Sequence, residues 1–126
     1  MTTLIALALF GALGAVARYG TSIALLRWAG PAFPWGTLAV NVVGCFLLGL
    51  LNQTLVGEHA PSTQARAVLG AGFLGAFTTF STFGVETYRA LEAGQWRLAI
   101  ANVACNLIGG LLAVALGVHA GRMVGR

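Results

Sequence analysis

The chain has very little charge for its length. It has 126 residues, only 8% of them charged, and it contains no lysine. A soluble domain carries about 25% charged residues, so a soluble globular fold is excluded. The mean hydropathy of +0.86 instead indicates an integral membrane protein.

Residues that do chemistry are also scarce. Cys45 and Cys105 lie inside predicted spans and form no metal or redox motif, so we interpret them as small buried hydrophobic residues. There is no nucleotide-binding loop, carboxylate pair, nucleophile–base set or metal cluster, and no enzyme is predicted. The net charge of +4 comes from arginines scattered at helix ends. This pattern favours a membrane interface over nucleic acid as the basic surface's partner.

What the sequence does contain is four long apolar runs. Each run with its flanks reaches the roughly 20 residues that span a lipid bilayer. The predicted transmembrane helices cover about 3–27, about 34–55, about 66–90 and about 96–120. The first is too long, and too polar at Arg18, for a cleaved signal peptide. We therefore predict one all-α membrane domain over residues 1–126.

The third run holds an uncharged stretch that is a poor continuous helix. Residues 70–84 contain four glycines and four Ser or Thr hydroxyls. Each glycine costs about 1 kcal/mol against alanine, and the hydroxyls compete for backbone hydrogen bonds. We expect a break near residues 75–79, where freed carbonyls can bind a hard cation. A glycine-rich packing helix is the other interpretation.

Polar side chains inside the other spans need partners. Asn41 either joins helices or contacts a polar permeant, because an amide both donates and accepts. Asn102 and Asn106 form a polar stripe on helix 4 at a spacing of four. Arg18 lies deep in helix 1, where it pairs, holds carbonyls, attracts anions, or extends its charge to the interface.

Small residues recur at helical spacing on two helices, which predicts close helix–helix contact. They are Gly11, Gly14 and Ala15 in helix 1, and Gly109, Ala113, Gly117 and Gly121 in helix 4.

Three motifs resemble those of the Fluc (CrcB) fluoride channel family, in order along the whole chain. The specific one is GFLGAFTTFSTF at residues 72–83; the others are GALGAVARY at 11–19 and GTLAVNVVG at 36–44. The resemblance implies an antiparallel, dual-topology homodimer in a prokaryotic inner membrane. It implies two pores that passively export fluoride and lower its cytoplasmic level. It also implies a central sodium ion, structural and not transported.

The resemblance also assigns residues. The backbone carbonyls of Gly75 and Thr78 would hold the sodium ion. Asn41 would line the pore, and the rings of Phe80 and Phe83 would contact the anion. The other polar pore neighbours would be Thr37, Ser81 and Thr82, with Asn102, Asn106, Arg18 and Glu86 as further pore or vestibule candidates. Asn102 and Asn106 stand where the family often has a tyrosine and then a serine.

Two other functions compete with a channel. A proton-coupled, dual-topology exporter needs a carboxylate inside the membrane, and only Glu86 approaches that position. A scaffold subunit would explain the small-residue stripes but not Asn41 with the hydroxyl and phenylalanine cluster.

The arginines predict the topology. The predicted loop at residues 58–64 and both termini lie on one side of the membrane. Three arginines flank the spans on each side: Arg66, Arg122 and Arg126 against Arg27, Arg89 and Arg97. Without an imbalance, the chain should insert in both orientations, which supplies both halves of an antiparallel dimer.

Overall fold

The structure, a computed structural model, describes residues 1–54 and 62–124. The end of the second predicted span at Leu55, most of the predicted loop from Glu58, and Arg126 lie outside the described residues. The helical elements in chain order are α1 (Thr2–Ala29), α2 (Trp35–Thr54), α3 (Thr63–Ala67), a π-helical segment (Val68–Leu74), α4 (Gly75–Phe77), α5 (Phe80–Glu92) and α6 (Trp96–Val124).

Four stretches of the described chain are long and apolar enough to cross a membrane. They are Thr2–Ala29, Trp35–Gln53, Thr63–Glu92 and Trp96–Val124. The third stretch, here called the third span, combines α3, the π-helical segment, α4 and α5. No strand occurs among the described residues. The predicted all-α architecture with four membrane-length helices is therefore confirmed.

Helices α2 and α6 pack closely because glycines remove the side chains between their backbones. A β-carbon added to Gly117 would overlap the carbonyl of Phe46. On the other helix, one added to Gly49 would lie 2.5 Å from the Val114 oxygen. The glycines thus face each other's backbones reciprocally. This contact confirms the close packing predicted from the small-residue stripe of helix 4.

Helix α1 lies at the edge of the fold and packs against the third span through the glycines of its small-residue face. A β-carbon on Gly14 would overlap the Phe73 carbonyl and lie 3.2 Å from the β-carbon of Ala76. One on Gly11 would lie 3.8 Å from the carbonyl oxygen of Gly72. The close approach predicted for this face is confirmed.

The third span changes its hydrogen bonding along its length. Ser62 caps α3 by accepting a bond from the Ala65 amide at 3.2 Å. The π-helical segment follows, and its end is marked by a bond from the Gly75 amide to the Gly70 carbonyl. Such segments are rare and cluster at functional sites. The sequence predicted no π-helix, because a wider turn leaves no periodicity of its own over seven residues.

Candidate functional site

Two threonines separate α4 from α5 with extended backbone. Thr78 has φ −83° and ψ 160°, and Thr79 has φ −151° and ψ 110°. Thr79 begins α5 as its N-cap, because its hydroxyl oxygen accepts a bond from the Thr82 amide at 3.2 Å. The Thr79 hydroxyl therefore supplies the acceptor for the Thr82 amide that a backbone carbonyl would provide inside a continuous helix.

Asn41 on α2 forms hydrogen bonds with both backbone groups of Thr79 at this interruption. Its Oδ1 accepts a bond from the Thr79 amide at 2.8 Å, and its Nδ2 donates to the Thr79 carbonyl at 3.2 Å. Thr79 is only 7% exposed, so these groups have little access to solvent. The amide joins two spans, as one of the two sequence interpretations expected, and it also lines the cavity described below.

The amides that would bond to two carbonyls in a continuous α-helix donate elsewhere. The Thr79 amide, four residues after Gly75, donates to Asn41 instead of to the Gly75 carbonyl. The Thr82 amide, four residues after Thr78, donates to the Thr79 hydroxyl. Both carbonyls therefore lack their usual helical donor, which leaves oxygen lone pairs for another partner.

A chain of side-chain hydrogen bonds leads from the interruption through α6 and back to α5. Asn41 Nδ2 donates to Asn106 Oδ1 at 2.9 Å, and Asn106 Nδ2 donates to Asn102 Oδ1 at 2.9 Å. Asn102 Nδ2 donates to the Thr87 hydroxyl at 2.9 Å, which donates to the Phe83 carbonyl at 2.8 Å. We call these four side chains (Asn41, Asn106, Asn102 and Thr87) the amide relay. Asn102 is its buried centre, 1% exposed.

A cavity of about 320 Å³ opens beside the interruption. Its lining brings together six of the predicted site residues: Asn41, Gly75, Thr78, Phe80, Phe83 and Asn106. The rings of Phe80 and Phe83 stand 5.5 Å apart at 50°, and Phe80 is 80% exposed. Two amide side chains, two phenylalanine rings and the residues Gly75 and Thr78 therefore line one partly open space.

Two further hydroxyl candidates, Thr37 and Thr82, lie together with a carboxylate. The Thr37 hydroxyl, on a residue that is 4% exposed, donates to Glu86 Oε1 at 2.8 Å. Oε2 of Glu86 is buried and has no hydrogen-bond partner among the described residues. A second cavity of about 220 Å³ is lined by Thr37, Thr82 and Glu86. The Thr79 hydroxyl connects the two regions by donating to Thr82 Oγ1 at 2.9 Å.

Two candidates stand apart from the first cavity. Ser81 is exposed and approaches it only through a 3.4 Å contact with the Thr79 hydroxyl. Arg18 is half-exposed on α1 and lines neither of these two cavities. Its part in an anion vestibule stays a prediction.

Two site residues were missed by sequence reasoning. Thr79 stood inside the quoted motif without a role, although a Thr directly before a helix is a capping signal. Thr87 gave a weaker signal, since a hydroxyl four residues after Phe83 can bond back to its carbonyl. Nothing in the sequence pairs Thr87 with Asn102.

Comparison with known proteins now identifies the group to which the chain belongs. Residues 5–118 match the family model described as "CrcB-like protein, Camphor Resistance (CrcB)". The chain belongs to the CrcB family. The predicted resemblance is confirmed, and with four membrane-length helices this CrcB protein is a multi-pass membrane protein.

CrcB relatives match over nearly their whole length. A protein of Geobacter sulfurreducens is 46% identical over 124 residues, covering 98% of this chain and 100% of the relative. A protein of Magnetococcus marinus is 44% identical over 117 residues, covering 93% and 95%. One from Chloroflexus aurantiacus is 41% identical over 125 residues, covering 99% of both. All three bear the name "Fluoride-specific ion channel FluC".

Proposed function

We propose that this CrcB protein is a fluoride-specific ion channel that passively exports fluoride and lowers its level in the cytoplasm of a prokaryote. The observation that carries the proposal is full-length similarity to proteins named as fluoride-specific channels. The cavity beside the third span supports it, since it combines amides with phenylalanine rings. The protein is a channel and not an enzyme.

The chemistry of the cavity suits a small, strongly hydrated anion. Fluoride must exchange its water shell for close donors. The Asn41 amide can supply them in the first cavity, and the Thr82 hydroxyl in the second cavity, to which the Thr79 hydroxyl connects it. The ring edges of Phe80 and Phe83 carry positive quadrupole charge. Both Asn41 N–H bonds already have acceptors, so a passing anion replaces one of them and is not held permanently.

We further propose an antiparallel homodimer with two pores, whose two-fold axis lies in the membrane plane. Gly75 and Phe80 are exposed on a single chain although both line the cavity, so a partner's third span can complete its open side. Because the arginines are balanced between the two sides, the chain would be inserted in both orientations, which supplies the two oppositely oriented subunits of the dimer. Single-sided labelling of a cysteine at the C-terminus in sealed cells tests this. Labelling of about half of the copies is expected; uniform labelling or uniform protection would contradict dual insertion.

The interruption also fits a structural sodium ion. The Gly75 and Thr78 carbonyls lack their usual helical donors, and carbonyl oxygens are hard ligands. Two chains would contribute four such oxygens, and the bound cation would raise the local affinity for an anion. Replacing sodium with a large organic cation should lower the thermal stability of the dimer, and sodium should restore it. Equal stability in both media would contradict the site.

Fluoride efflux from proteoliposomes tests the function and separates the alternatives. A fluoride channel releases fluoride but not chloride, and its rate is unchanged when the proton gradient is collapsed. A proton-coupled exporter, for which the half-buried Glu86 is the available carboxylate, would instead depend on that gradient. A scaffold subunit would release neither anion. Proton-dependent efflux or no efflux would overturn the channel.

A further inference from the structure

The amide relay has a direction that backbone groups dictate. The Thr79 amide can only donate, so Asn41 must present its oxygen there and its Nδ2 to Asn106. The Asn102 carbonyl can only accept, and Asn106 Nδ2 donates to it at 3.0 Å. At the far end the Phe83 carbonyl also accepts, so Thr87 presents its proton there and its lone pair to Asn102. The three amides are therefore held in one orientation.

The relay joins two walls of the candidate pathway. Asn41 and Asn106 on α2 and α6 form one side of the first cavity, and Phe83 on α5 forms another. Asn102 and Thr87 do not line that cavity. Among the described residues, the bond from Asn102 to Thr87 is the side-chain hydrogen bond that connects α6 to α5.

We propose that Asn102 and Thr87 are positioning residues for fluoride passage, which set the Asn41–Asn106 wall at a fixed distance from Phe83. The proposal rests on the proposed function. Without the Thr87 hydroxyl, the buried Asn102 amide loses its acceptor and α5 loses its side-chain link to α6. Phe83 can then shift against the amides, and passage slows because binding of a small anion depends on close donors.

Three variants of Thr87 test the proposal by fluoride efflux from proteoliposomes, normalised to folded protein. Thr87→Val keeps the shape and removes the hydroxyl, and efflux should fall about tenfold, the effect of one buried polar group left without a partner. Thr87→Ser restores the hydroxyl and should stay within about twofold of wild type. Thr87→Ala removes the hydroxyl without a β-branch and should match Thr87→Val.

Thr21→Val is the matched control. The Thr21 hydroxyl also donates to a carbonyl four residues back, that of Ala17, at the same 2.8 Å, but it takes no part in the relay. Its loss should leave efflux unchanged, so a slow Thr87→Val cannot be ascribed to losing a helical hydroxyl bond.

The outcomes separate this proposal from the proposed function. No fluoride efflux in the wild type would overturn both. Fast wild-type efflux with equally fast Thr87→Val, or with Thr87→Ser as slow as Thr87→Val, would overturn the positioning role alone. If Thr87→Val and Thr87→Ala fail to fold while Thr87→Ser folds, the hydroxyl is needed for folding, and the positioning role is likewise overturned.

Discussion

The α2–α6 pair and the third span both contain many glycines but use them differently. In the pair, Gly49 and Gly117 let two continuous helices bring their backbones together. In the third span, glycines accompany a π-helical segment and two residues of extended backbone. The difference lies in the polar partners, because Asn41 and the Thr79 hydroxyl bind the backbone groups that leave the helix. Glycine permits close packing, and polar side chains permit an interruption at membrane depth.

The largest effect on folding is expected in the α2–α6 pair. Gly117→Ala adds one β-carbon that would overlap the Phe46 carbonyl, and backbone cannot move aside as a side chain can. We expect a loss of about 3 kcal/mol in the free energy of unfolding, measured by denaturant titration in detergent. Gly20→Ala is the control, because its β-carbon meets no atom within 4 Å. Equal stabilities of the two variants would disprove the close contact.

A smaller loss is expected where Asn41 binds the third span. Asn41→Leu leaves the Thr79 amide and carbonyl without these partners, which costs about 2 kcal/mol. Fluoride efflux should disappear as well, since the variant also removes a donor from the cavity. Asn52→Leu changes an exposed amide on the same helix and should affect neither quantity. Full efflux in Asn41→Leu would show that fluoride passage does not need the bonds between Asn41 and the Thr79 backbone.

A still smaller effect on folding should follow an added methyl group at Gly44. Its β-carbon would overlap the Thr78 side-chain methyl, which can turn away only by breaking the bond from the Thr78 hydroxyl to the Leu74 carbonyl, so the cost is about 1 kcal/mol. Because Thr78 lies at the interruption, efflux should nevertheless fall. Gly84→Ala on α5 meets no atom within 4 Å and serves as the control. Unchanged efflux in Gly44→Ala would show that the position of the Thr78 side chain does not affect fluoride passage.

The sequence predicted what depends on composition and helical spacing. The apolar runs predicted the four spans, and the stripes containing Gly14 and Gly117 predicted close contacts that the structure confirms. The motif at residues 72–83 predicted the family. The partner of each polar group could not be predicted, because the bonds of Asn41 to Thr79 and of Asn102 to Thr87 join residues that only the packing of separate helices brings together. The functional roles of these residues stay predictions.

The central claim is that anions pass beside the interrupted third span, and Phe80→Ile tests it most directly. Phe80 is 80% exposed on the single chain, so losing its ring should leave the fold of that chain nearly unchanged, and efflux is normalised to folded protein. Tyr88→Ile, which removes an exposed ring outside the cavity on the same helix, is the control. We predict that fluoride efflux falls about fivefold or more in folded Phe80→Ile, because an aromatic edge contributes about 1 kcal/mol or more, and stays normal in Tyr88→Ile. Wild-type efflux in folded Phe80→Ile would contradict the account.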